Sequence, residues 1–305
     1  MTLSGTGRMN FCQNMIVVSR DIKLWHTVFA LPFAILATFL AAGYGGHRPS
    51  VVEVLLIVVC MFFARTAAMT INRWADAKFD GANPRTRGRA IPSGQMSSGT
   101  MLGFVIGSGL LFVLTTLLFY FVLDNPYPFY LSPGVLFYLC FYSYFKRFTF
   151  LCHLFLGSAL ALSPLAATLA INPAYLGRIE PYLIGLMVLS WVAGFDIIYA
   201  LQDVEIDKAA GLHSMPSRLG VGTALNISRG LHATVPLWLG YLVYCSPMLN
   251  LGFTVGVVLV GALLFFEHYL IYKSKTKHMH LAFFTLNGII SLLLGILGII
   301  DIYLA

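Results

Sequence analysis

Two acidic segments have the residue types and the spacing of a divalent-cation site. In the first, Asn72, Asp76 and Asp80 lie four residues apart, so a helix would place them on one face. Two carboxylates this close repel each other, and each is costly to desolvate at the edge of a bilayer. Mg²⁺ typically takes one or two carboxylates, waters and phosphate oxygens. The segment therefore predicts a Mg²⁺ site, with the arginines that follow it holding the phosphate.

A second segment repeats this pattern. Four residues would again share one helical face: Asp196, Tyr199, Asp203 and Asp207. Each segment is followed by a short basic loop with a Pro-Ser pair, residues 81–94 and 208–220. We therefore predict one domain, residues 1–305, built from a repeat of residues 24–145 and 149–272 whose halves share a single site.

With these motifs the chain resembles the UbiA superfamily of intramembrane prenyltransferases, and the resemblance covers nearly the whole sequence. A third segment is similar to the YxxxKR segment of that family: Tyr142-Ser143-Tyr144-Phe145-Lys146-Arg147. The resemblance implies Mg²⁺-dependent transfer of a polyprenyl group from a polyprenyl diphosphate to an electron-rich aromatic acceptor. The diphosphate leaves, and the resulting allylic cation attacks a ring carbon.

The resemblance also implies roles for individual residues. One Mg²⁺ would be held by Asn72, Asp76 and Asp80, and a second by Asp203 and Asp207. The basic residues expected to bind the diphosphate are Arg89, Lys146, Arg147 and Arg218. We expect Asp76, Asp203 and Lys146 to be essential for catalysis. Tyr142 and Tyr199 either face the allylic cation or only pack between helices, and Asp196 either hydrogen-bonds its neighbours or positions the acceptor.

The acceptor is left open by one departure from the family pattern. Many 4-hydroxybenzoate enzymes have Asp after the first motif residue, whereas here Arg73 follows Asn72. The Asn-Arg form also occurs in relatives proposed to act on a dihydroxynaphthoate. We expect an aromatic carboxylic acid of the 4-hydroxybenzoate type, in ubiquinone synthesis, with 1,4-dihydroxy-6-naphthoate, in menaquinone synthesis, as the alternative.

Arg65 is a lone cation inside an apolar segment. It precedes Asn72 by seven residues, so it lies two helical turns deeper on the same face, about 10 Å away. A guanidinium at this depth must face the protein interior and find an anion. Arg65 either pairs with Asp196 or binds the carboxylate of the acceptor through its planar fork.

The composition excludes a soluble globular protein. The chain is 58% hydrophobic and 10% charged, whereas ordinary domains carry about 25% charged residues. The net charge of +7 comes from basic residues in short loops between apolar segments, a pattern typical of cytoplasmic loops and not of nucleic-acid binding. The five cysteines are scattered without a CxxC or zinc spacing, so we predict no disulfide framework.

These features predict an all-α integral membrane protein with about nine transmembrane helices. Each apolar segment has the roughly 20 residues that a helix needs to cross a bilayer, or a little under, and the fourth is short. The segments are 24–44, 51–74, 101–123, 131–145, 149–171, 181–201, 224–245, 251–272 and 281–304. Basic residues concentrate in every second connection, which predicts a cytoplasmic N-terminus in a bacterial inner membrane. The two basic loops would then be cytoplasmic caps that close over the diphosphate, or else plain solvated loops.

Two other classes of membrane protein are alternatives. CDP-alcohol phosphotransferases also place acidic helical motifs on Mg²⁺, but they need a single motif preceded by an Asp-Gly and Ala-Arg block. An ion-coupled transporter is the non-enzyme alternative. Transporter sites usually lie near the membrane midplane on broken helices, whereas these carboxylates lie beside basic loops at helix ends.

Overall fold

A computed structural model describes residues 10–23, 27, 29–274, 279 and 281–305. Over this part of the chain the structure is helical and contains no strand. The α-helices are α1 Phe11–Asp21, α2 Leu31–Tyr44, α3 Val51–Ala75, α4 Ala77–Ala82, α5 Ser98–Leu123, α6 Tyr127–Phe141, α7 Cys152–Ile171, α8 Glu180–Ala200, α9 Val204–Ala209, α10 Met215–Leu219, α11 Val221–Cys245, α12 Leu251–Ser274 and α13 Asn287–Leu304. Short 3-10 helices cover Tyr142–Arg147, Pro173–Gly177 and Leu201–Asp203, and a π-helix covers Leu281–Leu286.

Six helices in the described ranges are long and apolar enough to cross a membrane: Val51–Ala75, Ser98–Leu123, Cys152–Ile171, Glu180–Ala209, Leu251–Lys273 and Phe283–Leu304. The prediction of an all-α membrane protein is therefore confirmed, but the predicted count of nine spans is not. Helices α2 and α6 have 14 and 15 residues, fewer than the roughly 20 that a crossing needs. Helix α11 has 25 residues but carries Asn226, Arg229 and His232. The predicted start of the first span, residues 24–26 and 28, lies outside the described residues.

Helix α8 is the most enclosed part of the bundle. Its large apolar residues pack with α2, α11, α12 and α13 around Trp191, which is fully buried. Helix α7 lies close against α8, and a small residue allows this. A Cβ added to Gly157 of α7 would lie 2.5 Å from the Leu189 carbonyl oxygen of α8. Small residues at helix contacts are the usual solution in membranes, where close backbone packing holds helices together. The result is a tightly held α7–α8 pair.

Both acidic motifs interrupt their helices at the central aspartate. Helix α3 ends at Ala75, and the backbone at Asp76 (φ −92°, ψ 5°) leads into the six-residue helix α4. In the same way α8 passes through a 3-10 turn to Asp203 (φ −112°, ψ 5°), which leads into the six-residue helix α9. Each motif therefore lies on two helices that meet at its central aspartate. In the first motif the helical hydrogen bonds continue through this point, from the Asp76 N–H to the Asn72 oxygen (3.0 Å) and from the Asp80 N–H to the Asp76 oxygen (2.8 Å). Each break turns the last carboxylate of its motif into the bundle.

Helix α1 docks against the first basic loop. Asn10 and Gln13 form a capping box at its start, which satisfies two backbone N–H groups that would otherwise lack a partner. Val18 and Ile22 are buried against a small cluster on the loop and the start of α5: Ala90, Met96 and Met101. At the end of α1, the Asp21 Oδ1 atom accepts a hydrogen bond from the Ala90 N–H (3.1 Å). Helix α1 thus forms one wall of the cavity described next.

Candidate active site

A cavity of about 1000 Å³ lies between α3, α5, α6, α7 and α8. Twelve of the residues predicted from the sequence line it: Arg65, Asn72, Asp76, Asp80, Arg89, Tyr142, Lys146, Arg147, Asp196, Tyr199, Asp203 and Asp207. Arg218 does not, because it lies exposed on α10. The cavity therefore brings both motifs, the YxxxKR segment and the deeper Arg65 to one enclosed space.

Each of the four aspartates at the mouth of this cavity is paired with a basic side chain. Arg147 Nη2 lies 3.3 Å from Asp76 Oδ1, and Arg89 Nη1 lies 2.6 Å from both oxygens of Asp80. Arg85 Nη2 lies 2.5 Å from Asp203 Oδ2, and Lys146 Nζ lies 2.7 Å from Asp207 Oδ1. The mouth thus holds four carboxylates and four cations within hydrogen-bond reach, and their formal charges cancel.

The pairing runs between the two motifs. Arg85 belongs to the loop after the first motif, yet its Nε (3.0 Å) and Nη2 atoms bind Asp203 of the second. Asn83 of the same loop donates from Nδ2 to Asp203 Oδ1 at 3.0 Å. Lys146 and Arg147 are consecutive residues of one 3-10 helix, but one binds the second motif and the other the first. Neither motif is therefore complete without the other half of the chain.

Burial changes the proton affinity of two groups at the mouth. Desolvation, followed by the negative charge of Asp80, raises the pKa of Asp76, and Arg147 only partly offsets this. Burial opposes the charge on Lys146, but the neighbouring Asp207 outweighs that effect and raises the pKa of Lys146. Added positive charge beside Asp76 would therefore be favourable, whereas Lys146 stays protonated.

The oxygen donors at the mouth suit a hard cation that completes its shell with water and phosphate. Asp207 Oδ2 is buried without a hydrogen-bond partner, so it is available as a ligand. Asn72 donates from Nδ2 to Asp76 Oδ2 (3.0 Å) and accepts from Arg73 Nη1 at Oδ1 (2.7 Å). Within the described ranges, no group of three or more His, Cys, Asp or Glu side chains is arranged as a protein-only metal cage.

Arg73, the residue after Asn72, contacts both Asn72 and the end of helix α1. Its guanidinium is buried, and its Nε atom donates to the Asp21 backbone oxygen (3.3 Å) and lies 3.8 Å from Asp21 Oδ2. Arg73 thus connects helix α1 to the amide of Asn72. The sequence did not predict this contact, because 52 residues separate Arg73 from Asp21.

Arg65 lies deeper in the cavity and forms no ion pair with any residue that the structure describes. Its Nε atom is buried and has no hydrogen-bond partner. Arg65 does not pair with Asp196, because the Asp196 carboxylate contacts His153 instead (Oδ2 to Nδ1, 2.6 Å). A buried donor without a partner is unfavourable, so the Arg65 Nε atom favours an anionic group from outside the chain.

The two predicted tyrosines have different surroundings. The Tyr199 hydroxyl accepts from Arg85 Nη1 at 2.9 Å, the Arg85 guanidinium lies 5.2 Å from the Tyr199 ring centre, and Phe283 packs on the ring at 4.2 Å. Tyr142 is enclosed further inside, with its hydroxyl 4.0 Å from Met69 Sδ. Tyr199 therefore lies directly beside the paired charges at the mouth, and Tyr142 lies below them.

Below the charged mouth the cavity is mostly apolar. It follows α3 from Asp76 down to Ile57, 19 residues away along the helix, or about 28 Å. The α7 side of this region carries small residues, which leave open space between the helices: Ala159, Ser163, Ala166, Ala167 and Ala170. A polar head at the mouth and a long apolar tail below it would both be accommodated.

Sequence reasoning missed two residues of this site. Asn83 lies inside the basic loop that was singled out, and a polar residue there was a detectable candidate. His153 offered no comparable signal, because its partners Asp196 and Met215 lie 43 and 62 residues away. Only the fold brings His153 to the cavity.

The sequence model of the UbiA prenyltransferase family matches residues 30–289. The chain is 31% identical to the 4-hydroxybenzoate octaprenyltransferase of Azotobacter vinelandii over 241 residues, which cover 78% of this chain and 75% of that one. It is 28% identical to the enzyme of the same name from Tolumonas auensis over 274 residues, covering 88% and 87% of the two chains.

Solved structures resemble the fold over nearly its full length. The apo structure of a UbiA homolog from Aeropyrum pernix K1 has a TM-score of 0.81 at 28% identity and covers 91% of this chain and 98% of that one. A UbiA homolog from Archaeoglobus fulgidus bound to DMAPP and Mg²⁺ has a TM-score of 0.68 at 21% identity, covering 95% and 99%. The second similarity is one of fold.

Proposed function

Because the chain belongs to the UbiA prenyltransferase family, we propose that it transfers a polyprenyl group from a polyprenyl diphosphate to an aromatic carboxylic acid of the 4-hydroxybenzoate type. The observation that carries this proposal is the cavity itself. Four aspartates, each beside a basic side chain, surround its mouth, and an apolar region about 28 Å deep lies below. A diphosphate head with a long isoprenoid tail has this same distribution of charge.

Mg²⁺ is the proposed cofactor. Asn72, Asp76 and Asp80 would hold one ion, and Asp203 and Asp207 a second. The buried, unpartnered Asp207 Oδ2 atom and the raised pKa of Asp76 support added positive charge at both motifs. When bound, Mg²⁺ supplies positive charge to the diphosphate oxygens as the allylic C–O bond breaks.

The basic residues at the mouth would exchange partners when the diphosphate binds. Arg85, Arg89, Lys146 and Arg147 now neutralise the aspartates, and each lies on an element that borders the cavity. With the aspartates engaged by cations, these side chains are free to donate to diphosphate oxygens. Preorganised positive charge around a leaving group is usually the largest contribution to catalysis of this kind. Arg218 is exposed on α10, and we assign it no contact with the diphosphate.

The allylic carbon would react beside aromatic faces. Tyr199 and Phe283 lie at the boundary between the charged mouth and the apolar region. An aromatic face near a cation contributes roughly 0.5–2 kcal/mol. The two cap loops, residues 81–94 and 208–220, would exclude the water that otherwise captures the allylic cation.

Arg65 would bind the carboxylate of the acceptor. Its buried, unpartnered Nε atom supports this role, and its planar fork suits a carboxylate. Arg65→Lys and Arg65→Ala should raise the acceptor KM roughly 10- to 150-fold, because a hydrogen bond to a charged group is worth about 1.5–3 kcal/mol. The KM for the diphosphate should barely change, since its head lies two turns away. An unchanged acceptor KM alongside a lowered melting temperature would reject the role.

A dihydroxynaphthoate is the second candidate acceptor, and Arg73 is the observation that favours it. To decide between them, membranes containing the protein are incubated with a labelled polyprenyl diphosphate and either 4-hydroxybenzoate or 1,4-dihydroxy-6-naphthoate. We expect a labelled product with 4-hydroxybenzoate, in the presence of Mg²⁺ and not with excess EDTA. Product with the naphthoate alone would select the second candidate, and no product with either would reject the prenyltransfer proposal and favour a transporter.

The membrane topology completes the proposal. We infer nine crossings and a cytoplasmic N-terminus in a bacterial inner membrane, because α2, α6 and α11 pack beside the longer helices and basic residues concentrate in alternate connections. Single cysteines introduced at the exposed positions Ser98 and Asn250, with the five native cysteines replaced, should be labelled from opposite sides. Labelling from the same side would reject nine crossings.

A further inference from the structure

His153 is a buried imidazole that faces the cavity from the second residue of α7. It is 3% exposed, and two elements contact it from different directions. The Met215 N–H, on the loop that follows the second motif, donates to His153 Nε2 at 3.2 Å. Asp196 of α8 lies on the other side, with its Oδ2 atom 2.6 Å from His153 Nδ1.

These two contacts fix the orientation of the ring. A backbone N–H can only donate, so His153 Nε2 accepts from the Met215 N–H. The N–H group at Nδ1 then donates a hydrogen bond to Asp196 and holds its carboxylate in one orientation.

Asp196 differs from the other carboxylates of the cavity. Among the described residues that line it, Asp21, Asp76, Asp80, Asp203 and Asp207 each lie beside an arginine or a lysine. The partner of Asp196 is instead the His153 ring, and no arginine or lysine that the structure describes forms an ion pair with it. Asp196 therefore keeps an oxygen that no basic side chain occupies, and its side chain remains 23% exposed to the cavity.

The position of Asp196 matches the place where a proton has to be removed. Asp196 precedes Asp203 by seven residues, as Arg65 precedes Asn72. Both residues thus lie about 10 Å below their motifs and line the same cavity. A ring whose carboxylate is bound by Arg65 would lie at this depth, below the diphosphate.

We propose that His153 is a positioning residue that holds Asp196 as the acceptor of the ring proton. This inference rests on the proposed function. In the reaction the allylic C–O bond breaks and its electron pair leaves with the diphosphate, while a ring carbon forms the new C–C bond. The proton on that ring carbon then passes to Asp196, and its C–H electron pair restores the aromatic ring. His153 keeps its own proton throughout.

The test compares His153→Leu with His153→Gln. Leucine removes both hydrogen bonds, whereas the glutamine amide can donate to Asp196 and accept from the Met215 N–H. Misplacing a general base should reduce kcat on the order of 10²-fold, so His153→Leu should lose this much and His153→Gln should recover most of it. Asp196→Asn, which removes the base itself, should lose at least as much.

An isotope effect separates this role from a purely structural one. The acceptor is deuterated at the ring carbons next to its hydroxyl group, and kcat is compared with that for the unlabelled acceptor. Proton loss should be fast in the wild-type protein, so its isotope effect should be small. In His153→Leu and Asp196→Asn proton loss becomes slow, and a primary isotope effect should appear.

Three results would overturn the proposal: an isotope effect in the variants equal to that of the wild type, a loss in His153→Gln as large as in His153→Leu, or full activity of His153→Leu. Should His153→Leu fail to fold, as judged by its melting temperature in detergent, Asp196→Asn and His153→Gln decide the question by the same criteria. A wild-type protein that forms no prenylated product would reject the proposed function, and the inference with it.

Discussion

In the second motif Asp203 receives three hydrogen bonds, two from the Arg85 guanidinium at 2.5 and 3.0 Å and one from Asn83 at 3.0 Å. In the first motif Asp76 is held more loosely, by Asn72 at 3.0 Å and by Arg147 at 3.3 Å. Burial raises the pKa of Asp76, and the negative charge of the nearby Asp80 raises it further. Similar residue patterns thus give one motif that is neutralised within the protein and one that depends more on an external cation.

The spacing of the acidic residues alone therefore does not set the electrostatics of a motif. The cations that neutralise the second motif come from the loop after the first and from the 3-10 helix Tyr142–Arg147. A repeat can therefore conserve its acidic pattern while each half distributes its basic residues differently.

The largest expected effect concerns turnover, where the two motifs should behave alike. Asp76→Asn and Asp203→Asn should each reduce kcat by about 10²–10³-fold, because each removes charge that organises the leaving group. Prenyl transfer is measured at saturating Mg²⁺, and folding is checked by the melting temperature in detergent. Turnover near that of the wild type in either variant would show that its motif is dispensable.

A smaller effect is expected on the free energy of unfolding in the absence of metal. Here the loss of a basic partner should destabilise the second motif more than the first. Arg85→Ala leaves the buried Asp203 carboxylate without its main partner and should lower the free energy of unfolding by about 1–3 kcal/mol. The matched control is Arg87→Ala, because Arg87 is exposed on the same loop and makes no ion pair with any residue that the structure describes. Melting is measured in EDTA, and added Mg²⁺ should reduce the deficit. Equal melting of the two variants would mean that the Arg85–Asp203 pair does not stabilise the fold.

The smallest effect should have the opposite sign. Since the pKa of Asp76 is raised in the folded protein, its contribution to stability is present at low pH and is lost as the pH rises through that pKa. Asp76→Asn removes the buried charge and should raise the free energy of unfolding in EDTA at neutral pH by less than about 1 kcal/mol, which appears as a slightly higher melting temperature. The difference should vanish in acidic buffer, where the wild-type carboxyl is also protonated. A clear destabilisation at neutral pH would show that Arg147 outweighs burial and Asp80.

Much of the fold class and of the site followed from local patterns. The apolar segments indicated membrane helices, and the four-residue spacing of the acidic residues identified both motifs. The structure shows that these motifs line one cavity. The breaks at Asp76 and Asp203 were not predictable in this way, because a single non-helical residue barely changes a four-residue period. The span count was not confirmed, since α2 and α6 end well short of a bilayer thickness.

The pairing of charges could not be predicted because it is long-range. Arg85 and Asp203 are 118 residues apart, and Asn83 and Asp203 are 120. No short pattern indicates which of several loop arginines meets which aspartate. The internal repeat of residues 24–145 and 149–272 stays a prediction, supported by the matched helix breaks.

The docking of α1 has a consequence for the order of synthesis. Helix α1 leaves the ribosome first, but the residues that bury Val18 and Ile22 include Met96 and Met101, about 80 residues later in the chain. Until then α1 must persist with its apolar side uncovered, and its capping box helps it to keep a helical form on its own. Domains assemble as their segments emerge from the ribosome. Helix α1, which forms one wall of the cavity, can therefore dock only after α3, α4 and the first basic loop have been synthesised.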